Sequence, residues 1–301
     1  SKPGLFQKHH SVYNDSGETT MLHPAANAHD LETTFDDPKS TLKAKQLAVG
    51  HKNASPELID KGMASTESSV RRAAVKSPHA TREHLIKGAS DKDWRVQEAA
   101  LKNPNAPNEA LMKGLEDSDR DVRKVAAEHP NLSHEGITKA LNDDDDVRWR
   151  ALGNPSLSSK HISDVIANGS TSDIARVLRH PNVQTHHLDE ALNSDNGEHR
   201  EAAAGHHKAT SEQIFKALKD PDWGVAAAAA GNPSATNEHL TKALKSTSPL
   251  VRARAAIHPN LSADNLNKAM KDTTDAVRRN AIRSPHVTSD HIEKAIHDKD
   301  W

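Results

Sequence analysis

The chain has 301 residues, of which 34% are hydrophobic and only 3% aromatic, with a formal net charge of -2 and a pI near 6.9. That is too little apolar bulk for one large globular core, no global basicity advertises nucleic acid, and no acidic tail repels it. The absence of Cys excludes disulfides, thiolate catalysis, zinc fingers and iron–sulfur clusters.

Residues 1–40, "SKPGLFQKHHSVYNDSGETTMLHPAANAHDLETTFDDPKS", are polar, non-repetitive and low in apolar side chains, and lack the apolar core of a signal peptide. They read as an N-terminal arm, extended or partly helical, with Phe6 and Tyr13 as candidate contacts to a partner chain.

Residues 41–301 repeat themselves. Aligning "VRRAAVKSPHATREHLIKGASDKDW" with "VQEAALKNPNAPNEALMKGLEDSDRD" sets prolines 26 residues apart. That slot, used as a ruler, falls on Lys52, Pro78, Pro104, Pro130, Pro155, Pro181, His207, Pro233, Pro259 and Pro285, with one step of 25 before Pro155. Ten units result. Four residues before the ruler stands Ala in nine units, from Ala48 to Ala281, and Val177 in the other. Eight before it stands Val in seven, such as Val70 and Val96, on the same face of a helix that the proline ends. Three residues after the ruler comes Ser or Thr in eight units, with an acid following, which is an N-cap with a carboxylate near the positive helix end. Leu or Ile seven after the ruler then faces the core, and an Asp-rich loop such as "EDSD" or "KDPD" returns to the next unit.

Two short amphipathic helices per unit, neither able to bury its face alone, predict an all-α fold, an α-solenoid of ten two-helix repeats over residues 41–301. The pattern "VRRAAVKSP…LIKGASDKD" resembles the HEAT-like repeats, and among them the leucine-rich repeat variant type. The resemblance implies architecture rather than function, and at this length the second segment could be α or 3₁₀.

The 21 histidines invite a metal reading. His51, His129, His180, His206 and His258, however, stand just before the ruler, where other units carry Ser77, Asn103, Asn154, Asn232 and Ser284. A slot open to His, Asn and Ser is a hydrogen-bonding position, since Ser would not hold a metal there, so no metal and no cofactor is expected. Lys recurs nine after the ruler, at Lys61, Lys87, Lys113, Lys139, Lys216, Lys242, Lys268 and Lys294, and Arg seven before it, at Arg71, Arg123, Arg148, Arg200, Arg252 and Arg278. One reading is a cationic track for DNA or RNA, with Lys87, Lys113, Lys139, Lys216, Lys242 and Lys268 on the phosphates. The preferred reading pairs Arg with the loop carboxylates Asp91, Asp117, Asp143, Asp220, Asp272 and Asp298 in the inter-repeat ladder that the resemblance implies. No phosphate-cradling loop, nucleophile elbow or zincin helix is present, so no catalytic residue is assigned and an enzyme is not expected.

Two features break the period. In the middle units Asp164 and Glu190 replace Lys, and Asp173 replaces Val, which marks a candidate partner site or hinge. The chain also stops on "DKDW", so that Trp301 occupies a slot of a unit that does not follow, and the C-terminal face is expected either to continue in a longer product or to dock on a partner or another copy. The reading is therefore a non-catalytic scaffold for other protein chains, cytoplasmic or virion-associated and without a membrane span. The array is similar to ones in large phage-encoded proteins, which implies a component of a large assembly such as a virion.

Overall fold

The computed structural model describes residues 24–298. Those residues hold 21 α-helices and no strand, and divide into two compact units between Leu157 and Ser158. In the first unit, helix Ala28–Asp36 precedes the first helices Leu42–Val49, Ser68–Lys76, Trp94–Lys102, Arg120–Ala127 and Asp145–Leu152. The second helices Pro56–Met63, Arg82–Ala89, Asn108–Leu115 and His134–Leu141 alternate with them. The second unit opens on Ser159–Asn168 and continues through five first helices, Thr171–Val177, Gly197–Ala204, Trp223–Ala230, Pro249–Ala256 and Asp275–Ile282. Their second helices are Thr185–Leu192, Ser211–Leu218, Asn237–Ala243, Ala263–Ala269 and Ser289–Ile296. The second segments are thus α rather than 3₁₀.

Each helix is too short to persist alone, so both caps and stacking matter. Ser55, Thr81, Ser133, Ser158, Thr210, Ser262 and Thr288 each accept a backbone N–H from three residues on, satisfying a donor that the first turn leaves free. Four of the ten described first helices start on an Asp of the returning loop: Asp93, Asp119 and Asp222 accept from the amides two residues on (2.9, 2.8 and 2.8 Å) and Asp144 from the Val147 amide (3.0 Å).

Within each unit first helices stack on first helices and second on second. The whole Ala slot, Val177 included, is fully buried, and so are the Val slot and the Leu/Ile slot as far as Leu266. Ile292, on the last helix, is 49% exposed. Close approach depends on small side chains: Gly88 of Arg82–Ala89 sits where an added methyl would lie 2.8 Å from Ala100 Cβ of the next first helix. Gly62 and Gly114 face Ala74 and Ala126 in the same way. No helix among the described residues is long and apolar enough to cross a membrane.

Candidate functional site

The arginines of the periodic slot are turned inward. Arg71 donates from Nε and Nη2 to Asp91 (2.8 and 3.1 Å) and from Nη1 to the carbonyls of Ser65 and Thr66 (both 3.0 Å). One buried guanidinium so ties the loop before its helix to the loop at the next repeat. Arg123 does the same with Asp143 and Asp144, Arg200 with Asp220 and Arg252 with Asp272, while Arg278 lies 3.7 Å from Asp298. The hydrogen bond to the carboxylate holds Arg71 and Arg200 above the usual guanidinium range, against the opposing effect of burial. Two positions depart from the expected ladder. Arg148 pairs with Asp145 of its own helix (2.7 Å), the residue twenty positions on being Asn168 rather than Asp. Asp117 receives Gln97 (2.8 Å), which stands in the Arg slot of its repeat.

The polar slot before the ruler forms a second ladder. Asn103 donates to the Val75 carbonyl, His129 Nε2 to Asn103, and Asn154 to Ala127 and His129. In the second unit His206 donates to Leu178, Asn232 to Ala204 and His206, and His258 to Asn232. In every one of these the other side-chain atom accepts the N–H two residues on, at 2.8–3.0 Å. In each of these imidazoles Nδ1 faces an N–H and Nε2 a carbonyl.

A third ladder has no counterpart in the sequence reading. At the third residue of the second helices, His84, His187, His239 and His291 accept the cap residue's N–H on Nδ1. Nε2 of His187 and His239 then contacts the Ser159 and Ser211 carbonyls of the preceding repeat (3.1 and 3.0 Å), and His84 reaches Asp60. Gln213 fills the same place, accepting from Thr210 and donating to Thr185 and Asp189. The signal was there, six residues after the ruler, as an alternation of His with Gln213 and Asn265. Leu58, Ala110 and Gly136 in the same slot obscure it. Burial pushes His187 and His206 below the ordinary imidazole value, outweighing the carbonyl each one meets.

The lysines face outward. Lys87, Lys113, Lys139, Lys216, Lys242 and Lys268 are all exposed, in or near the last turn of their helices. One turn earlier each has an acid, from Glu83 before Lys87 to Asp264 before Lys268, so the row alternates cation with carboxylate along each helix. Lys139 also pairs with Glu116 (3.0 Å), Lys216 donates to Asn193 (2.6 Å), and Lys242 lies over the Phe215 ring (5.6 Å).

Where the lysines give way to acids the surface changes. Asp164 and Glu190 line one cleft of about 770 Å³ in the second unit, together with Ser163, Asn193 and Asp195. Glu190 accepts from Ser163 (3.0 Å) and Asp164 from Lys160 (2.7 Å). Asp173 does not line this cleft; it lies in the first turn of Thr171–Val177, its N–H on the Ser170 cap. Phe6, Tyr13 and Trp301 lie outside the described residues. A smaller groove of about 300 Å³ in the first unit sets the exposed Trp94 beside the pairs Glu98/Lys102 and Glu128/Arg150. Among the described residues no three His, Asp or Glu side chains converge as metal ligands.

Stacked helix pairs whose core lies between neighbours decide the fold. Each unit is an all-α repeat solenoid. No family model and no curated protein matches the chain. Among solved structures it is similar to a leucine-rich repeat variant with a novel repetitive structural motif, at 18% identity and TM-score 0.49 over 73% of this chain and 87% of that one. It is also similar to an engineered protein, at 17% identity and TM-score 0.26 over 97% and 91% of the two chains. A computationally designed armadillo repeat protein for modular peptide recognition follows, at 16% identity and TM-score 0.19 over 85% and 98%. At identities and scores this low, none of these likenesses bears on what the chain binds.

Proposed function

We propose that the chain is a non-catalytic scaffold that binds other protein chains, and that the cleft lined by Asp164 and Glu190 takes a segment rich in Lys or Arg. One observation carries the reading: the two acids that replace Lys in successive repeats meet in a single cleft. A cationic side chain entering between them would meet carboxylates on both walls and the Asn193 and Ser163 side chains as further polar partners. The arrangement of the cations supports it too. Most of the periodic arginines are engaged in clamps between repeats, and each outward lysine shares its helix with an acid, which weakens a continuous track for phosphates. A place in a large assembly such as a virion is the finer form of the reading; its support is the resemblance of the 26-residue array to arrays in phage-encoded proteins.

The test is a fluorescence titration with a lysine-rich peptide, a glutamate-rich peptide and duplex DNA. The lysine-rich peptide should bind, and Asp164→Lys with Glu190→Lys, which restores the residue most other repeats carry, should abolish that binding. Unchanged affinity in the double variant would remove the cleft from the reading. Tight DNA binding with a steep salt dependence, relieved by replacing Lys216, Lys242 and Lys268, would favour a polyanion binder instead.

A further inference from the structure

The sixth repeat, Thr171–Val177 with Thr185–Leu192, combines a missing arginine clamp with paired imidazoles at both of its boundaries. Its Arg slot holds Ile174 and the matching loop position Ser194, so the guanidinium–carboxylate clamp of the next repeat, Arg200 with Asp220, has no equivalent here. Repeats five and eight also lack the clamp: Arg148 pairs with Asp145 of its own helix, and repeat eight carries Ala226 and Ser246 in those slots, where Ala226, Ala227 and Ala230 pack into a continuous apolar cluster with Val251 and Ala255. Repeat six is joined on both sides through imidazoles, beside which Lys208 Nζ donates to the Pro181 and Val183 carbonyls (2.9 and 2.8 Å) and Gln213 to the Thr185 carbonyl (2.8 Å).

On one side His187, fully buried, accepts the Gln184 N–H on Nδ1 (2.9 Å) and offers Nε2 to the Ser159 carbonyl and hydroxyl (3.1 and 3.0 Å). On the other side His206, from repeat seven, accepts the Lys208 N–H on Nδ1 (3.0 Å) and donates Nε2–H to the Leu178 carbonyl of repeat six (2.6 Å). In both, Nδ1 must stay unprotonated, because a proton there would point at an N–H that has no alternative acceptor in the turn. Each also has a second imidazole against it, His186 at 3.9 Å and His207 at 4.5 Å between ring centroids, so two charges would be brought together. We propose that repeat six is an acid-released joint, closed while His187 and His206 are neutral and opened when they are protonated.

The surrounding charges are mixed. The helices packed against that of His187 carry Lys160, His161 and Asp164 (Ser159–Asn168), Glu198, His199, Arg200 and Glu201 (Gly197–Ala204), and Glu212 and Lys216 (Ser211–Leu218). Its own helix adds Asp189 and Glu190, the latter favouring the charged ring. His207 and Lys208 of its own turn act on His206; Thr171–Val177, packed against the helix before it, carries Asp173 and Arg176, and Trp223–Ala230 carries no titratable group. His199 bridges the Ser194 and Thr171 hydroxyls (2.9 and 3.3 Å). Loss of hydration on burial is the largest influence on both His187 and His206 and lowers both, so the closed joint binds fewer protons than the open one. Stability of the joint is then complete above the ordinary imidazole value of 6.5 and falls as pH drops below it.

Glu190, Asn193 and Asp195 of this repeat and its following loop wall the acidic cleft, so acid release would also dismantle that cleft. The joint itself does not depend on what the cleft binds, and the test uses the full chain without any peptide. Amide hydrogen exchange, corrected for the intrinsic effect of pH, is compared at pH 7.5 and 5.0. Protection of Thr171–Leu192 should fall by about tenfold or more, roughly tenfold per pH unit for each proton taken up, while Trp223–Ala230 changes less. His187→Gln with His206→Asn should remove the difference, since Gln213 and Asn232 make the same two bonds in the same slots. A pH-dependent loss that survives in the double variant, or one spread evenly over the second unit, would overturn the proposal. Should that variant not fold, NMR titration of the native chain decides: values for His187 and His206 at or above those of free imidazole overturn it, and depressed values support it.

Discussion

A methyl group added to Gly88 would lie 2.7 Å from Val75 Cγ1 and 2.8 Å from Ala100 Cβ. Ala ordinarily gains about 1 kcal/mol over Gly inside a helix. Here the obstructing atom of Ala100 is fixed to its backbone, so relief requires Arg82–Ala89 and Trp94–Lys102 to move apart. Gly88→Ala is expected to cost about 1–3 kcal/mol by overpacking, read as a lower urea midpoint with an unchanged slope. An equal or higher midpoint would mean that the helices have slack. Arg71 poses the opposite case, a buried charge whose removal leaves another behind. With both side chains under 10% exposed (8% and 9%), Arg71→Met strands the Asp91 carboxylate and should cost about 3–5 kcal/mol. Because water barely reaches the pair, raising the salt to about 1 M should change the loss little. A loss that vanishes in high salt would show an exposed pair.

At the scale of one helix, Arg82–Ala89 shows how eight residues are made to start in the right place. Thr81 accepts from the His84 N–H (3.3 Å) and returns its own N–H to His84 Nδ1 (2.9 Å), a capping box in which imidazole replaces the usual Glu. Thr81→Ala should cost about 1 kcal/mol, with exchange rising first at the amides of the first turn. His84→Gln should cost less, because Gln213 makes the reciprocal bond at the equivalent position of another repeat. If His84→Gln proved the worse of the two, the contact to Asp60 rather than the cap would be the important one. The cap was legible as Ser or Thr three residues after the ruler. Its histidine half was harder to see, because Leu58, Ala110 and Gly136 interrupt the alternation of His, Gln and Asn in the same slot.

Across a whole unit every contact described runs within a repeat or to the next one, which is the condition for nearest-neighbour energetics. A local lesion should therefore stay local. Gly88→Ala should raise exchange in Ser68–Lys76, Arg82–Ala89 and Trp94–Lys102, and leave Trp223–Ala230 and Pro249–Ala256 as protected as before. A uniform rise through both units would point to a single cooperative transition instead. The three ladders work on the same short range: arginine to loop carboxylate, ruler-slot side chain to preceding backbone, and cap side chain to preceding repeat. Their polar partners are satisfied across repeat boundaries, which fixes the register between stacked helices that apolar contacts between Ala and Val alone would leave free to slide.

The period of 26, the proline stops, the Ser and Thr caps and the small-residue slot determined by themselves that this chain is an all-α stack, because each is a local constraint on one helix or on the spacing of two. They also separated Arg from Lys only in part, since two cations at fixed period look alike until one is seen to turn inward. The tertiary structure decided that Arg71, Arg123, Arg200 and Arg252 clamp loops while the lysines face water, a matter of which side of a helix meets a neighbour. It likewise brought Asp164 and Glu190 into one cleft and left Asp173 out of it. It set His187 and His206 against carbonyls with Nδ1 already occupied, because partners 28 residues away in the chain become adjacent only when repeats stack.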